Sequence, residues 1–215
     1  MLDVSIDMAG FDRYADDLGK VALQQMPFAL AKTVTQVAYQ AKAALETEMT
    51  KAFDRPTPFT MRAFAVQAAR KSQPNPEAVV FAKDIQAEYL AKQIFGGTRQ
   101  PKSGGRAVLT PAGQRLNKYG NLPRGAVKRA LARGNTFSGT VTFKKGGPVA
   151  GIWQRPKRRG GQNRGRLKLL VLFEDEKQVK PRFDFADIVI RVANEQALLE
   201  HFRLNLRDAV ATARR

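Results

Sequence analysis

Apolar and acidic positions alternate along Leu2-Asp3-Val4-Ser5-Ile6-Asp7, and this period of two predicts a short, half-buried strand. The period then lengthens. Phe11, Tyr14, Ala15, Leu18, Ala22 and Met26 recur at spacings of three and four, with Asp12, Asp16 and Asp17 in the early turns where a helix dipole favours negative charge. Pro27 is tolerated in a first turn, so a second helix is expected to begin there. Its stripe of Leu30, Val34, Val37, Ala41, Leu45, Met49 and Phe53 runs for about seven turns. The prolines of Asp54-Arg55-Pro56-Thr57-Pro58 end it.

Beyond that break, Phe64, Val66 and Ala68 read as one strand and Val79, Val80 and Phe81 as another. The Ser72-Gln73-Pro74-Asn75-Pro76 turn makes them an antiparallel hairpin. A short helix over 85–95, carrying Tyr89, Leu90 and Ile94, stops at Gly96-Gly97. Residues 98–121 show little periodicity and are expected to form a long loop, or a segment ordered only by its neighbours. A small basic helix is predicted over 123–133, with Val127 and Leu131 inward and Arg124, Lys128 and Arg129 outward. Strands follow over 136–143 and 149–153, joined by the Lys144-Lys145-Gly146-Gly147 turn. A cationic tip at 155–161 leads back into an apolar strand over 167–173. Asp184 is placed to cap a last helix bearing Phe185, Ile188, Val192, Leu199, Phe202, Leu206 and Val210. The expected fold is α+β: two long amphipathic helices packed on a small, mostly antiparallel sheet. It forms a single domain over 1–215, with a long basic Gly-rich insertion over 98–168.

Charge changes the picture of that insertion. The 215 residues include 37 Lys or Arg and 19 Asp or Glu, a net +18, yet residues 89–173 hold nineteen of the bases and no acid. Fifteen of the seventeen glycines lie in the same stretch. Flexible backbone with one sign of charge argues against a self-contained core and for a polyanionic or acidic partner. Three uses are open: ordering against acidic neighbours in an assembly, contact with nucleic acid, or plain solvated loops. Trp153 and Tyr119 are too few for a stacking platform, which speaks against sequence-specific recognition. The candidate contact residues are Arg99, Lys102, Arg106, Arg115, Lys118, Arg124, Lys128, Arg129, Arg155, Lys157, Arg158, Arg159, Arg164, Arg166 and Lys168.

Chemistry is otherwise sparse. Cysteine is absent, so disulfides, thiolate metal sites and cysteine nucleophiles are excluded. The single histidine, His201, lies between Leu199 and Phe202 with no nucleophile poised beside it, and is expected to be structural. Glu174-Asp175-Glu176 lacks the Gly-centred loop of a divalent-cation site. Gly104-Gly105-Arg106 and Gly146-Gly147-Pro148 lack the spacing and the Lys-Ser/Thr ending of a phosphate loop. No enzymatic activity, cofactor or metal is expected. Neither a secretory signal nor a membrane span is evident, so the expected place is a cytoplasm, unless the chain travels within a larger particle.

The order of elements resembles the minor tail protein Z and related tail-completion, or neck, proteins of long-tailed bacteriophages. The resemblance is carried by Pro27-Phe28-Ala29-Leu30-Ala31-Lys32-Thr33, by Tyr89-Leu90-Ala91-Lys92-Gln93-Ile94-Phe95-Gly96-Gly97-Thr98 and by Arg182-Phe183-Asp184-Phe185. These cues are diffuse, span most of the chain and include no catalytic signature. The resemblance implies a non-enzymatic virion protein at the head-proximal end of the tail, present in the host cytoplasm during assembly. Implied partners are copies of itself in a cyclic ring, a hexamer by the resemblance, together with tail tube, tail terminator or head connector proteins. DNA in the channel is a further implied contact, and no membrane is involved. The alternative is a free nucleic-acid-binding protein without sequence specificity. The long basic insertion departs from the family pattern.

Overall fold

The computed structural model describes residues 3–6, 20–101, 105–144, 146–156, 158–159, 162–163 and 166–213. In chain order the elements begin with β1 (Asp3–Ile6), α1 (Lys20–Ala52), α2 (Pro58–Met61), β2 (Phe64–Gln67), β3 (Ala78–Ala82) and α3 (Asp84–Ile94). Next come β4 (Gly97–Arg99), β5 (Val108–Pro111), α4 (Ala126–Leu131), β6 (Thr136–Phe143) and β7 (Gly146–Gln154). The chain closes with β8 (Arg158–Arg159), β9 (Gln162–Asn163), β10 (Lys168–Glu174), β11 (Lys177–Val179), α5 (Phe185–Val192) and α6 (Glu195–Ala213). Helices and small antiparallel sheets together make an α+β protein. Its chain divides into two compact units, Met1–Phe95 with Pro181–Arg215, and Gly96–Lys180.

In the first unit β3 lies between β1 and β2, and both pairings are antiparallel; the β2–β3 hairpin is as the turn prolines predict, and β1 is the strand its alternation predicts. Ala78, Val80 and Ala82 on β3 are buried, and α1 packs on β2 and β3. Val34, Val37, Ala38, Ala41, Leu45 and Met49 of α1 are fully buried, and the same helix contacts α5 and α6. Phe64 packs against Phe183 and Phe185, with ring centres 5.9 and 5.5 Å apart. One polar cluster lies between the long helices: buried Asn205 donates to Thr33 Oγ1 at 3.0 Å and Gln36 Oε1 at 2.7 Å. The chain leaves this unit after α3 and returns beside it, because the amides of Arg182 and Phe183 both donate to the Gln93 carbonyl.

Three expectations for this unit are corrected. Pro27 does not begin a helix but sits inside α1. Residues 20–26 are mostly good helix formers, and the first fully buried side chain described in α1 is Ala29, so the hydrogen bond lost at proline falls where little packing depends on it. The part of the first predicted helix carrying Phe11, Tyr14 and Leu18 lies outside the described residues. The last helix is two helices: Asp184 Oδ1 accepts from the Asp187 amide to cap α5, and Asn194 Oδ1 accepts from the Ala197 amide to start α6. Leu198 is buried on α6 where Leu199 was expected; Leu199 is only half-buried.

The second unit has a core, against the expectation from its composition. Its four-stranded antiparallel sheet has the order β5-β10-β7-β6, and Ile152, Leu170, Val171 and Ala130 form a buried cluster beneath α4. The loop expected over 98–121 contains β4, paired with β11, and β5, paired with β10. Both strands are too short to leave a readable period, and both find distant partners. On α4 the small Ala126 and Ala130 face the sheet, whereas Val127 is half-buried and Leu131 is 43% exposed. Gly125, at φ 72, sets this phase by starting the helix from the left-handed region.

Candidate cationic interface

Register alone brings one set of strand ends together. Pro111 lies opposite Val171, Lys168 opposite Gln154 and Thr136 opposite Gln154. Thus the C-terminal ends of β5 and β7 and the N-terminal ends of β10 and β6 share one end of the sheet. Just past β5, the amides of Ala112, Gly113 and Gln114 all donate to the Leu170 carbonyl, at 3.0, 3.1 and 3.2 Å. This convergence follows from a bulge in β10 between Leu169 and Val171, and it holds Arg115 at the same end. The end of α4 is tied there too, since the Thr136 hydroxyl donates to the carbonyls of Ala130 and Arg133. The Arg155 amide donates to the Asn135 carbonyl at 2.8 Å.

Arg115, Arg133, Arg155, Arg166 and Lys168 therefore cluster at this end, and each is exposed. From it the connection between β7 and β10 continues as an antiparallel pair, β8 with β9, in which Arg158 lies opposite Asn163 and Arg159 opposite Gln162. Neither β5 nor β6 extends along that pair. Lys157 and Arg164, expected here from the sequence, lie outside the described residues.

The opposite end carries the acids. Glu174, Asp175 and Glu176 are the only acidic residues of the 96–180 sequence. Glu174 closes β10 there, accepting from the Thr110 hydroxyl with Lys177 Nζ 3.9 Å away. Arg106 and Lys144, next to β5 and β6, are at this acidic end as well. Arg99 is exposed on β4, and Lys102 lies outside the described residues. Arg124, Lys128 and Arg129 are exposed on or beside α4, as expected. Lys118 Nζ sits 5.0 Å from the ring centre of Tyr119, in a turn whose Asn117 Oδ1 accepts from the amides of Tyr119 and Asn121. The expected set of cations is thus split: one group converges at a sheet end, and the rest is spread over the unit.

Arg133 belongs to the convergent group and was missed in the sequence. It sits in the same acid-free run, but only the hydrogen bonds of Thr136 show that the end of α4 meets the sheet. Among the described residues no salt bridge joins Arg115, Arg133, Arg155, Arg166 or Lys168 to a carboxylate. Arg155 is instead held by a ring: its guanidinium carbon lies 4.6 Å from the centre of Phe137. Phe137 is opposite Trp153, whose indole N–H donates to the Gly139 carbonyl. A sheet-anchored aromatic cluster thereby orients one cation of the group.

Carboxyl groups held below their usual range are Glu48 and Asp54 in the first unit, each through a hydrogen bond from a neighbouring cation, Lys51 and Arg55. His201 Nε2 meets the Gln40 amide at 2.9 Å, a contact between α6 and α1 that fits a structural role. No group of three His, Cys, Asp or Glu placed to hold a metal ion occurs among the described residues. No helix among them is long and apolar enough to cross a membrane. What the second unit offers is a sheet-anchored cationic surface whose charge complements a polyanion or an acidic protein. No protein-family model matches the chain, nor does any curated protein or solved structure.

Proposed function

We propose that this chain is a non-enzymatic structural protein of a tailed phage, acting in a ring of its own copies at the head-proximal end of the tail. It would complete the tail and join it to the head. The observation that carries this is the division of charge between two compact units. Residues 96–180 hold twenty Lys or Arg against three acids, and the rest holds seventeen against sixteen. A nearly neutral α+β unit suits packing against identical copies, while a strongly basic unit suits reaching other components. In this proposal α1 and α6, packed with the small sheet, are the scaffold, and the basic Gly-rich insertion makes contacts with tail tube, terminator or connector. Exposed apolar side chains support subunit contacts in the first unit: Tyr39 is 55%, Ile85 68% and Phe95 72% exposed. The resemblance of residues 27–33, 89–98 and 182–185 to tail-completion proteins points the same way.

The test is complementation with a chain in which Arg155, Lys157, Arg158, Arg159, Arg164 and Arg166 are replaced by Ser or Gln. Heads and tails that accumulate unjoined are the expected result, and infectious particles at normal yield would contradict it. A second function, free binding of nucleic acid without sequence specificity, is favoured by the exposed Arg115, Arg133, Arg155, Arg166 and Lys168, which form no salt bridge among the described residues. A free binder would be found outside particles, whereas a tail component co-purifies with them at a small fixed copy number.

A further inference from the structure

We infer that the cationic end of the four-stranded sheet is a seat for the phosphate backbone of duplex DNA. This names the partner of one part of the surface used in the proposed assembly, and it rests on that proposal only for where the DNA would be met.

The first support is geometric. Arg115, Arg133, Arg155, Arg166 and Lys168 reach one sheet end from four connections, and hydrogen bonds to the carbonyls of Leu170, Ala130, Arg133 and Asn135 fix the backbone around them. Cations held on a rigid base are preorganised, so they lose less freedom on binding than those on a tail. The second support is the sorting of charge along the sheet, with the unit's three acids at the far end. A surface of one sign matches a partner whose charge is dense and uniform, and duplex DNA carries about one negative charge per 1.7 Å of axis. Third, β8 and β9 form a two-stranded pair in the connection between β7 and β10, flanked by no other strand among the described residues. The major groove has the width to admit a two-stranded ribbon.

Duplex is favoured over single strands because the described aromatic side chains at this end offer little stacking surface. Trp153 is 3% exposed and Phe137 is engaged by Arg155. An acidic protein partner would instead be expected to bury apolar anchors. The large apolar residues exposed near this end are Leu116 and Leu167, on two different connections, and Leu131 at the end of α4.

The experiment measures binding of the full chain to a random-sequence duplex, to single-stranded DNA and to poly-glutamate as a function of salt. If the five cations each displace a counterion, affinity for duplex falls by about 500-fold or more between about 50 and 200 mM salt. Replacing all five with Gln should make the slope of log affinity against log salt shallower by about 4. Replacing Arg99, Arg106, Lys144, Lys177 and Lys180 removes the same charge elsewhere in the unit and should change it far less. Unchanged Trp153 emission certifies that each variant is folded. For wild type, hydrogen exchange in the duplex complex should slow at residues 112–115, 133–136 and 166–170, a readout independent of any substitution. Equal loss in the two variants, tighter binding to single strands or poly-glutamate, or no protection at those residues would overturn the inference. If DNA binding fails while the chain sits at a head-tail junction, only this inference falls. Intact DNA binding with the chain absent from particles removes only the assembly proposal.

Discussion

Asn205 is a polar residue placed where an α-helix would ordinarily present an apolar one. It bridges α6 to α1 by donating to Thr33 and Gln36, while the Thr33 hydroxyl donates onward to the Ala29 carbonyl. Truncation to Ala removes the donor and leaves the Thr33 and Gln36 acceptors without it in a largely buried interface, a loss of about 1–3 kcal/mol. Asn205→Ala should lower the urea midpoint followed by helix circular dichroism without changing the slope. An unchanged midpoint would show that the bridge contributes nothing. Leu45, fully buried in the same helix pair, offers a calibration: Leu45→Ala should cost about 2–5 kcal/mol by the same measurement. The apolar side of this interface was legible in the sequence, since Val34, Val37, Ala41, Leu45 and Met49 follow the helical period. Asn205 was not, because one polar residue on a periodic stripe does not reveal which residues it will face.

At the level of elements, legibility depends on length and on where the partner lies. The strands over 136–143, 149–153 and 167–173 could be read because each is long enough to show an apolar, β-rich pattern, and they are three adjacent strands of the second sheet, β6, β7 and β10. β4 and β11 are three residues each and pair across most of the unit, which no local pattern encodes. The break between α5 and α6 was hidden because the apolar stripe continues through it and only the Asn194 cap marks it. For the candidate site, its charge and approximate extent were visible in the acid-free run, but its concentration at one sheet end depends on strand register. Gly151 is the residue on which that register rests most directly. A Cβ at this position would collide with the Val171 carbonyl and with Leu169 Cδ1, where β10 bulges against β7. Gly151→Val should therefore open the second sheet. Its signature is a red shift in emission from Trp153, the single tryptophan, with the helical signal largely retained. Unshifted emission would show that the strand pair tolerates the side chain.

For the whole molecule, the second unit is inserted at a point where the first is already closed. Gln93 accepts from the amides of Arg182 at 2.7 Å and Phe183 at 3.2 Å, so the two ends of the first unit meet without help from the residues between them. Replacing residues 96–180 with a short Gly-Ser linker should leave a chain that keeps the helix content of α1, α5 and α6 and unfolds cooperatively. Loss of that helical signal would mean that the insertion supports the first unit's fold. The same separation underlies the functional account, in which one unit builds the ring and the other makes its charged contacts. Cryo-electron microscopy of purified particles from the genome encoding this chain tests that account most directly. A ring of this chain at the head-tail junction, with the Arg115 to Lys168 sheet end against DNA or a neighbouring component, is the predicted result. Particles with a fully assigned junction and no copy of this chain would contradict it.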